Sequence, residues 1–423
     1  MKKIALALVL PWLLEAQSIP ELFDALKSHS QIKSDTMLVK KSEIQKEMAN
    51  ASLYPKIDLF ASYDNYNEAT GMLPVPPNTM IGMVKDPTIA QPFSTNIYKA
   101  GAKFSMPLFV KSIYSTAKKA EAMQRSAKAK KQINILKNEA LIVGANANFL
   151  YLVSLKKALE GKEKSLQETK KTIQIKVDNG RSPASALYKI NDSLNEISIS
   201  KNNIELQKKK LISSIASLTG IYLDTPVTMK QIENYHKGSF GSLQPLQEKI
   251  KADKINMKAQ KEKLYPALYA HGSYVYSKAK AYNNDKNINE EYGNVGLLLN
   301  IPLLEMNQYS SISLAKIELQ SSEIELEKAR DELTSEAQML EASLPLLDNS
   351  LKLYTQSIQN KKKLLAIAKV NYNNGRLSTE EYLRYEDAVV TQEANLYKTE
   401  ATKWQTLMRL AVIYANNIEE MVK

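Results

Sequence analysis

A chain that repeats its own landmarks at one fixed distance is built as two copies of a single unit, and this 423-residue chain does so. Ser105-Met106-Pro107-Leu108-Phe109 returns as Asn300-Ile301-Pro302-Leu303-Leu304, and Asn179-Gly180-Arg181 returns as Asn374-Gly375-Arg376. Pro107 and Pro302 stand 195 residues apart, as do Gly180 and Gly375, so the Pro-to-Gly interval is 73 residues in both halves. Chance can produce one match but does not readily preserve the spacing between two. Leu53-Tyr54-Pro55 returns as Leu264-Tyr265-Pro266 at the longer distance of 211 residues. The surplus falls in a stretch rich in Pro and Gly, from Gly71 to Pro92, which reads as a longer loop.

Between Leu-Tyr-Pro and Pro-Leu the hydrophobic period is two. Ile57, Leu59, Ala61 and Tyr63 alternate with Asp58, Phe60, Ser62 and Asp64; Ala100, Ala102, Phe104, Met106 and Leu108 alternate with Lys99, Gly101, Lys103 and Ser105. In the second half, Val295, Leu297, Leu299 and Ile301 alternate with Asn294, Gly296, Leu298 and Asn300, after a Tyr-rich segment at 267–276. Such alternation predicts strands, two per half at about 55–108 and 266–302, four in all. Their many Tyr residues suit the aromatic girdles of a bilayer interface.

After each Pro-Leu the period becomes that of a helix. About 70 residues separate Val110 from Asn179, enough for a helix of roughly 105 Å. Leu333, Ala337, Leu340, Leu344, Leu347, Leu351 and Tyr354 step by four and three, a heptad seam, with Pro345 expected to bend that helix. Ile135, Ile142, Ala145, Phe149, Leu152 and Leu159 form the equivalent seam, interrupted by Asn138 and Lys156. Apolar stripes of this kind must face other helices. Gly180 and Gly375 end the long helices, and shorter helices return, capped by Ser182 or Ser185 and by Ser378 or Thr379. Pro183 suits the first turn of its helix. Further helices are expected over 19–52 and 243–264.

The start of the chain reads as an export signal over residues 1–16: Lys2 and Lys3, an apolar stretch Ile4–Leu14, then Ala16. The chain has no Cys, which excludes disulfides and a lipid-bearing cysteine. The formal net charge of +12 is spread along the chain rather than gathered on one module, which argues against nucleic-acid binding. His29, His236 and His271 lack metal-ligand spacing, and no phosphate-cradling Gly loop or nucleophile motif occurs. No cofactor, metal site or enzymatic activity is expected. Past the signal, no run of about 18 apolar residues offers a spanning helix, so only a closed β-barrel remains as a way across a bilayer. Four strands are too few to close one, and several chains must pool their strands. The division expected is a signal at 1–16, a first repeat at 17–220, an inter-repeat linker at 221–242 and a second repeat at 243–423.

The duplicated order helix, strand, strand, long helix, Gly turn, helix resembles the TolC-like outer-membrane efflux proteins over essentially the whole mature chain. Its most specific piece is the tip motif, present as Gly375-Arg376-Leu377-Ser378-Thr379-Glu380-Glu381-Tyr382-Leu383 and Gly180-Arg181-Ser182-Pro183-Ala184-Ser185-Ala186-Leu187-Tyr188, with Leu218-Thr219-Gly220 as a familiar helix ending. The resemblance implies a mainly α fold with a membrane β-barrel contribution. A homotrimer would form a twelve-stranded barrel in the outer-membrane lipid, continuous with a periplasmic α-helical barrel. It implies the exit duct of a tripartite efflux or type I secretion system, docked to a periplasmic adaptor and an inner-membrane pump. The tips Gly180, Arg181, Gly375, Arg376, Leu377 and Ser378 would contact the adaptor. In the family, acidic residues six and nine positions after the second tip Gly ring the closed entrance. Here those positions hold Glu381 and Arg384, so the second departs by reversing the charge. Glu381 is expected to face the bore near the periplasmic mouth, with Arg384 as partner in a closed state; both also read as ordinary exposed helix charges. The rival class is a periplasmic adaptor or structural coiled coil. An adaptor carries one hairpin inserted in a small β-domain, whereas this chain carries two hairpins, each preceded by a strand pair.

Overall fold

A computed structural model describes residues 18–423, so the expected export signal lies outside the described residues. The elements run α1 (Ile19–Ser28), α2 (Ser30–Ala51), β1 (Lys56–Gly71), α3 (Pro77–Lys85), β2 (Phe93–Phe109), α4 (Lys111–Asp178), α5 (Ala184–Thr219), α6 (Gln244–Glu262), β3 (Ala267–Lys280), β4 (Asn287–Asn300), α7 (Met306–Asn373), α8 (Thr379–Tyr414) and α9 (Ile418–Met421). Two differences from the sequence expectation stand out. The helix expected over 19–52 is two helices, because His29 adopts an extended conformation at φ −78° and ψ 162°. The stretch from Gly71 to Pro92 contains α3, which starts at Pro77, where a missing N–H costs nothing and the fixed φ already suits a helix. The chain divides into two compact units, one made of the described residues up to Val39 with 127–245 and 326–423, the other of 40–126 with 246–325.

The second of these units holds the sheet. Its four antiparallel strands lie in the order β1-β2-β3-β4, so β1 and β4 each have one edge without a partner strand among the described residues. Register fixes the two faces. Tyr63 pairs with Tyr98, Ala100 with Tyr276 and Ala270 with Leu297, so one face gathers Ile57, Leu59, Tyr63, Tyr98, Tyr274, Val295, Leu297 and Leu299, all exposed, with Leu59 at 83%. The opposite face carries Asp58, Asp64, Lys99, Lys103, Ser273 and Asn294. On it Lys99 pairs with Asp64 at 3.0 Å and the Ser273 hydroxyl donates to Asn294 at 2.6 Å. The backbones approach so closely at Gly101 that a Cβ there would stand 2.2 Å from the Tyr274 carbonyl oxygen, and no side chain fits. The helical parts of this unit are stitched by polar contacts: Ser115 donates to Glu262, Arg125 to Glu248 at 2.8 Å, and Ser322 to Asp253 at 2.8 Å.

The other unit is helical, and its core follows the heptad. On α4, Leu152, Leu159, Leu166 and Ile173 are buried at steps of seven; on α5, Ile190, Ile197 and Ile204 answer them. Each stripe covers the other, which an isolated amphipathic helix cannot do for itself. In α7, Ala337 is buried with Leu333, Leu340 and Leu344 against Leu410, Ile413 and Tyr414 of α8. That helix is continuous through Pro345. A third cluster gathers Ile19, Leu22, Phe23 and Leu26 of α1 with Ile142 and Phe149 of α4, Met408 and Val412 of α8, and Ile418 and Met421 of α9. The segment after α5 is tied into it: the fully buried Asn146 amide donates to the Val227 carbonyl at 2.7 Å and accepts from the Val227 N–H at 2.9 Å. Lys230 and Lys423 exchange backbone bonds beside it, at 2.7 and 3.0 Å.

Glu139 of α4 is only 2% exposed, and its Oε2 has no hydrogen-bond partner among the described residues. Burial, reinforced by the nearby Glu419 carboxylate, pushes its pKa from the ordinary 4.5 up to about 7; Lys27, which pairs with Glu419, pulls the other way. The folded state thus favours the protonated form. Its contribution is complete below pH 4.5 and is lost as pH rises through about 7, a loss on the order of 3 kcal/mol. Replacing Glu139 with Gln should raise the melting temperature at pH 8 and leave it nearly unchanged at pH 4.5, as followed by circular dichroism. A difference independent of pH would contradict this account.

Candidate functional site

The two hairpin tips are made by the same backbone device. Gly180 and Gly375 sit in the left-handed region at φ +68° and +70°, which a residue with a Cβ adopts only with strain. In each tip two N–H groups fold back on the last helical turn: Gly180 to Val177 and Arg181 to Lys176, at 2.9 and 2.7 Å, then Gly375 to Tyr372 and Arg376 to Asn371, at 3.0 and 2.9 Å. These bonds satisfy carbonyls that a helix end otherwise leaves bare. The returning helices start differently. In α8 the Ser378 hydroxyl accepts from the Glu381 N–H at 3.2 Å, and the Glu381 carboxylate accepts from the Ser378 N–H at 2.8 Å, a reciprocal cap. In α5 the capping position is taken by Pro183, and neither Ser182 nor Ser185 caps the helix.

Glu381 and Arg384 are both exposed on α8. The Ser378 N–H, and then the Ser378 hydroxyl, hold the Glu381 carboxyl below the usual carboxylate range, with Arg384 adding to the effect. Arg384 lies one turn on, without an ion pair to Glu381 among the described residues. With Lys361, Leu364, Leu377 and Tyr385 the two line an open groove of about 350 Å³ between α7 and α8. Arg181, Arg376 and Ser378 are exposed and Leu377 is half-buried.

Behind the tips lies a polar cluster that sequence reasoning missed. Tyr372 of α7 and Tyr382 of α8 stack with ring centres 4.7 Å apart and planes at 11°. The Tyr382 hydroxyl donates to the buried Glu386 carboxylate at 2.5 Å, and the Ser165 hydroxyl of α4 donates to the same oxygen at 2.6 Å. Burial first, then the Glu386 carboxylate, pushes the Tyr382 phenol up to about 12. Tyr372 bonds to Thr379 at 3.2 Å. Around this core the first hairpin is laced to the second: Lys162 to Asp387, Lys176 to the Asn373 carbonyl at 3.3 Å, and Lys189 to Glu380 at 3.1 Å. Tyr382 and Glu386 stand four apart, on one helix face. Their partner Ser165 lies more than 200 residues away in sequence, and nothing local marks it.

The three His residues stand apart from this region, and no group of three or more His, Cys, Asp or Glu with metal-holding geometry occurs among the described residues. Tyr382→Phe should leave the buried Glu386 with Ser165 alone and cost about 1–3 kcal/mol. Thermal unfolding would show it as a lowered midpoint, whereas Tyr385→Phe, on the exposed face, should match the parent.

The sequence pattern of the outer membrane efflux protein family matches residues 242–416. No curated protein sequence matches the chain. Among solved structures, the outer membrane protein VceC of Vibrio cholerae superposes with a TM-score of 0.78 at 14% identity, covering 94% of this chain and 95% of that one. The CmeC outer membrane channel of Campylobacter jejuni gives 0.78 at 15% identity, over 94% and 85%. The MtrE outer membrane channel of Neisseria gonorrhoeae, in its open state, gives 0.76 at 14% identity, over 94% and 89%.

Proposed function

We propose that this chain is a TolC-like outer-membrane efflux protein, the outer-membrane exit duct of a tripartite efflux or secretion system, a reading supported by its fold and by the sequence pattern of residues 242–416. The observation that carries the reading is the sheet of β1 to β4, with one apolar exposed face, one polar face and two open edges. Unpaired edge groups are not tolerated in hydrocarbon, and no helix among the described residues is long and apolar enough to cross a membrane. Sister copies resolve both problems by joining edge to edge. Three chains give twelve strands, with the Ile57, Leu59, Val295 and Leu297 face toward lipid and the Asp64 and Lys99 face toward a water-filled bore.

The helical hairpins then extend into the periplasm. Their tips, at Gly180, Arg181, Gly375, Arg376, Leu377 and Ser378, meet a periplasmic adaptor that links the duct to an inner-membrane pump. Glu381 and Arg384 set the charge near the periplasmic mouth. The duct performs no covalent chemistry; its contribution is a bore, a lining and a gate.

The protein should fractionate with outer membranes as an oligomer resistant to mild heating in detergent, and should form channels in planar bilayers. Replacing Glu381 and Arg384 with Ala should change single-channel conductance or cation block. A monomer soluble without detergent would overturn the reading, and unchanged conductance would remove Glu381 and Arg384 from the gate.

A further inference from the structure

The segment between β1 and β2 is not an idle loop. It is held by a stem, and the stem folds toward one face of the sheet. Met72 and Ala90, which flank α3, pack against Ile97, Ala279 and Ile288. Ile97 pairs with Asp64 and Ala279 in register, so this cluster lies on the face of Asp64 and Lys99, not on the apolar face. The turn between β3 and β4 clamps the stem: Asn283 donates to the Ile89 carbonyl at 2.8 Å and accepts from the Gln91 N–H at 3.1 Å, and Lys286 donates to the Thr88 carbonyl at 2.9 Å. Met72 and Pro92 close the base with a backbone bond of 2.9 Å.

On this fixed stem stands α3, Pro-Asn-Thr-Met-Ile-Gly-Met-Val-Lys, with no buried residue. Ile81 is 58% and Val84 69% exposed; with Met80 they form one side of the helix. Lys85 is its one charged residue. Exposed apolar side chains gathered on one side of a helix mark a contact surface. The stem that carries it packs on the polar face, not on the side offered to lipid. The open strand edges already require sister copies, and rotation about a common axis brings identical α3 surfaces together over the bore.

We infer that the α3 helices of neighbouring copies pack on one another through Ile81 and Val84 and narrow the mouth of the barrel at the end remote from the helices that follow β2 and β4. The inference rests on the channel reading above, and its test separates the two. The chain has no Cys, so Ile81→Cys and Val84→Cys each place a single thiol per copy. Oxidation with copper phenanthroline should convert a large fraction of either variant into cross-linked dimers, because a disulfide needs Cα atoms within about 7 Å. Leu59→Cys, on the apolar face, should remain monomeric on denaturing gels. Ile81→Asp with Val84→Asp should keep the heat-resistant oligomer and raise single-channel conductance above that of the parent.

Three outcomes would overturn the inference. The oligomer and its conductance could be intact with neither cross-linking at 81 or 84 nor a conductance change in the double variant, which spares the channel reading. The thiol of the Val84→Cys variant could be labelled by a lipid-soluble maleimide in place of cross-linking, which puts α3 in the bilayer. Loss of oligomer and channel activity in the parent protein would overturn both readings together.

Discussion

The backbone of an edge strand presents a row of N–H and C=O groups that something must satisfy. In water the solvent does so; in hydrocarbon only another strand can. The sheet of β1 to β4 has two such edges and one face of exposed Ile, Leu, Val and Tyr, so it suits neither a soluble domain nor a solitary membrane protein. In the proposed function assembly resolves that mismatch: neighbouring copies pair the edges, the apolar face meets lipid and the polar face becomes a lining.

The helical unit meets a related demand by other means. Long stripes of Leu and Ile at intervals of seven cannot face water, and the two arms of each hairpin cover one another's stripes. Polar groups inside this packing are placed where partners exist. Asn146 holds both backbone groups of Val227, and Glu386 collects two hydroxyls. Glu139 is the exception: a buried carboxyl with an unanswered oxygen, kept neutral over part of the physiological range by its surroundings.

Much of this is legible in the order of the residues. Alternation at Ile57–Asp64 and Val295–Ile301 marks strands because the side-chain period is two, and the seam from Leu333 to Tyr354 marks a packed helix because its steps are four and three. Asn-Gly-Arg marks the turns because few residues other than glycine tolerate φ near +70°. Other features are not legible, for physical reasons. The helix α3 hides in a stretch whose Pro and Gly residues signal loop, and at nine residues it is too short for a helical period to declare itself. The break at His29 leaves no mark stronger than an ordinary polar residue. The reciprocal cap of Ser378 and Glu381 does have a local signature, Ser three residues before Glu. The cluster of Ser165, Tyr382 and Glu386 has none, since it exists only after two distant helices meet.

The dissimilar beginnings of the two returning helices have a mechanical meaning. One hairpin re-enters its helix through a pair of reciprocal bonds between Ser378 and Glu381; the other re-enters through Pro183 with no side-chain bond to help it. The turns themselves are alike, so the difference lies in the first residues after them: removing the Ser378 hydroxyl would leave the Glu381 N–H bare, whereas at Pro183 the fixed φ of the ring, not a side-chain bond, sets the direction in which the chain re-enters its helix.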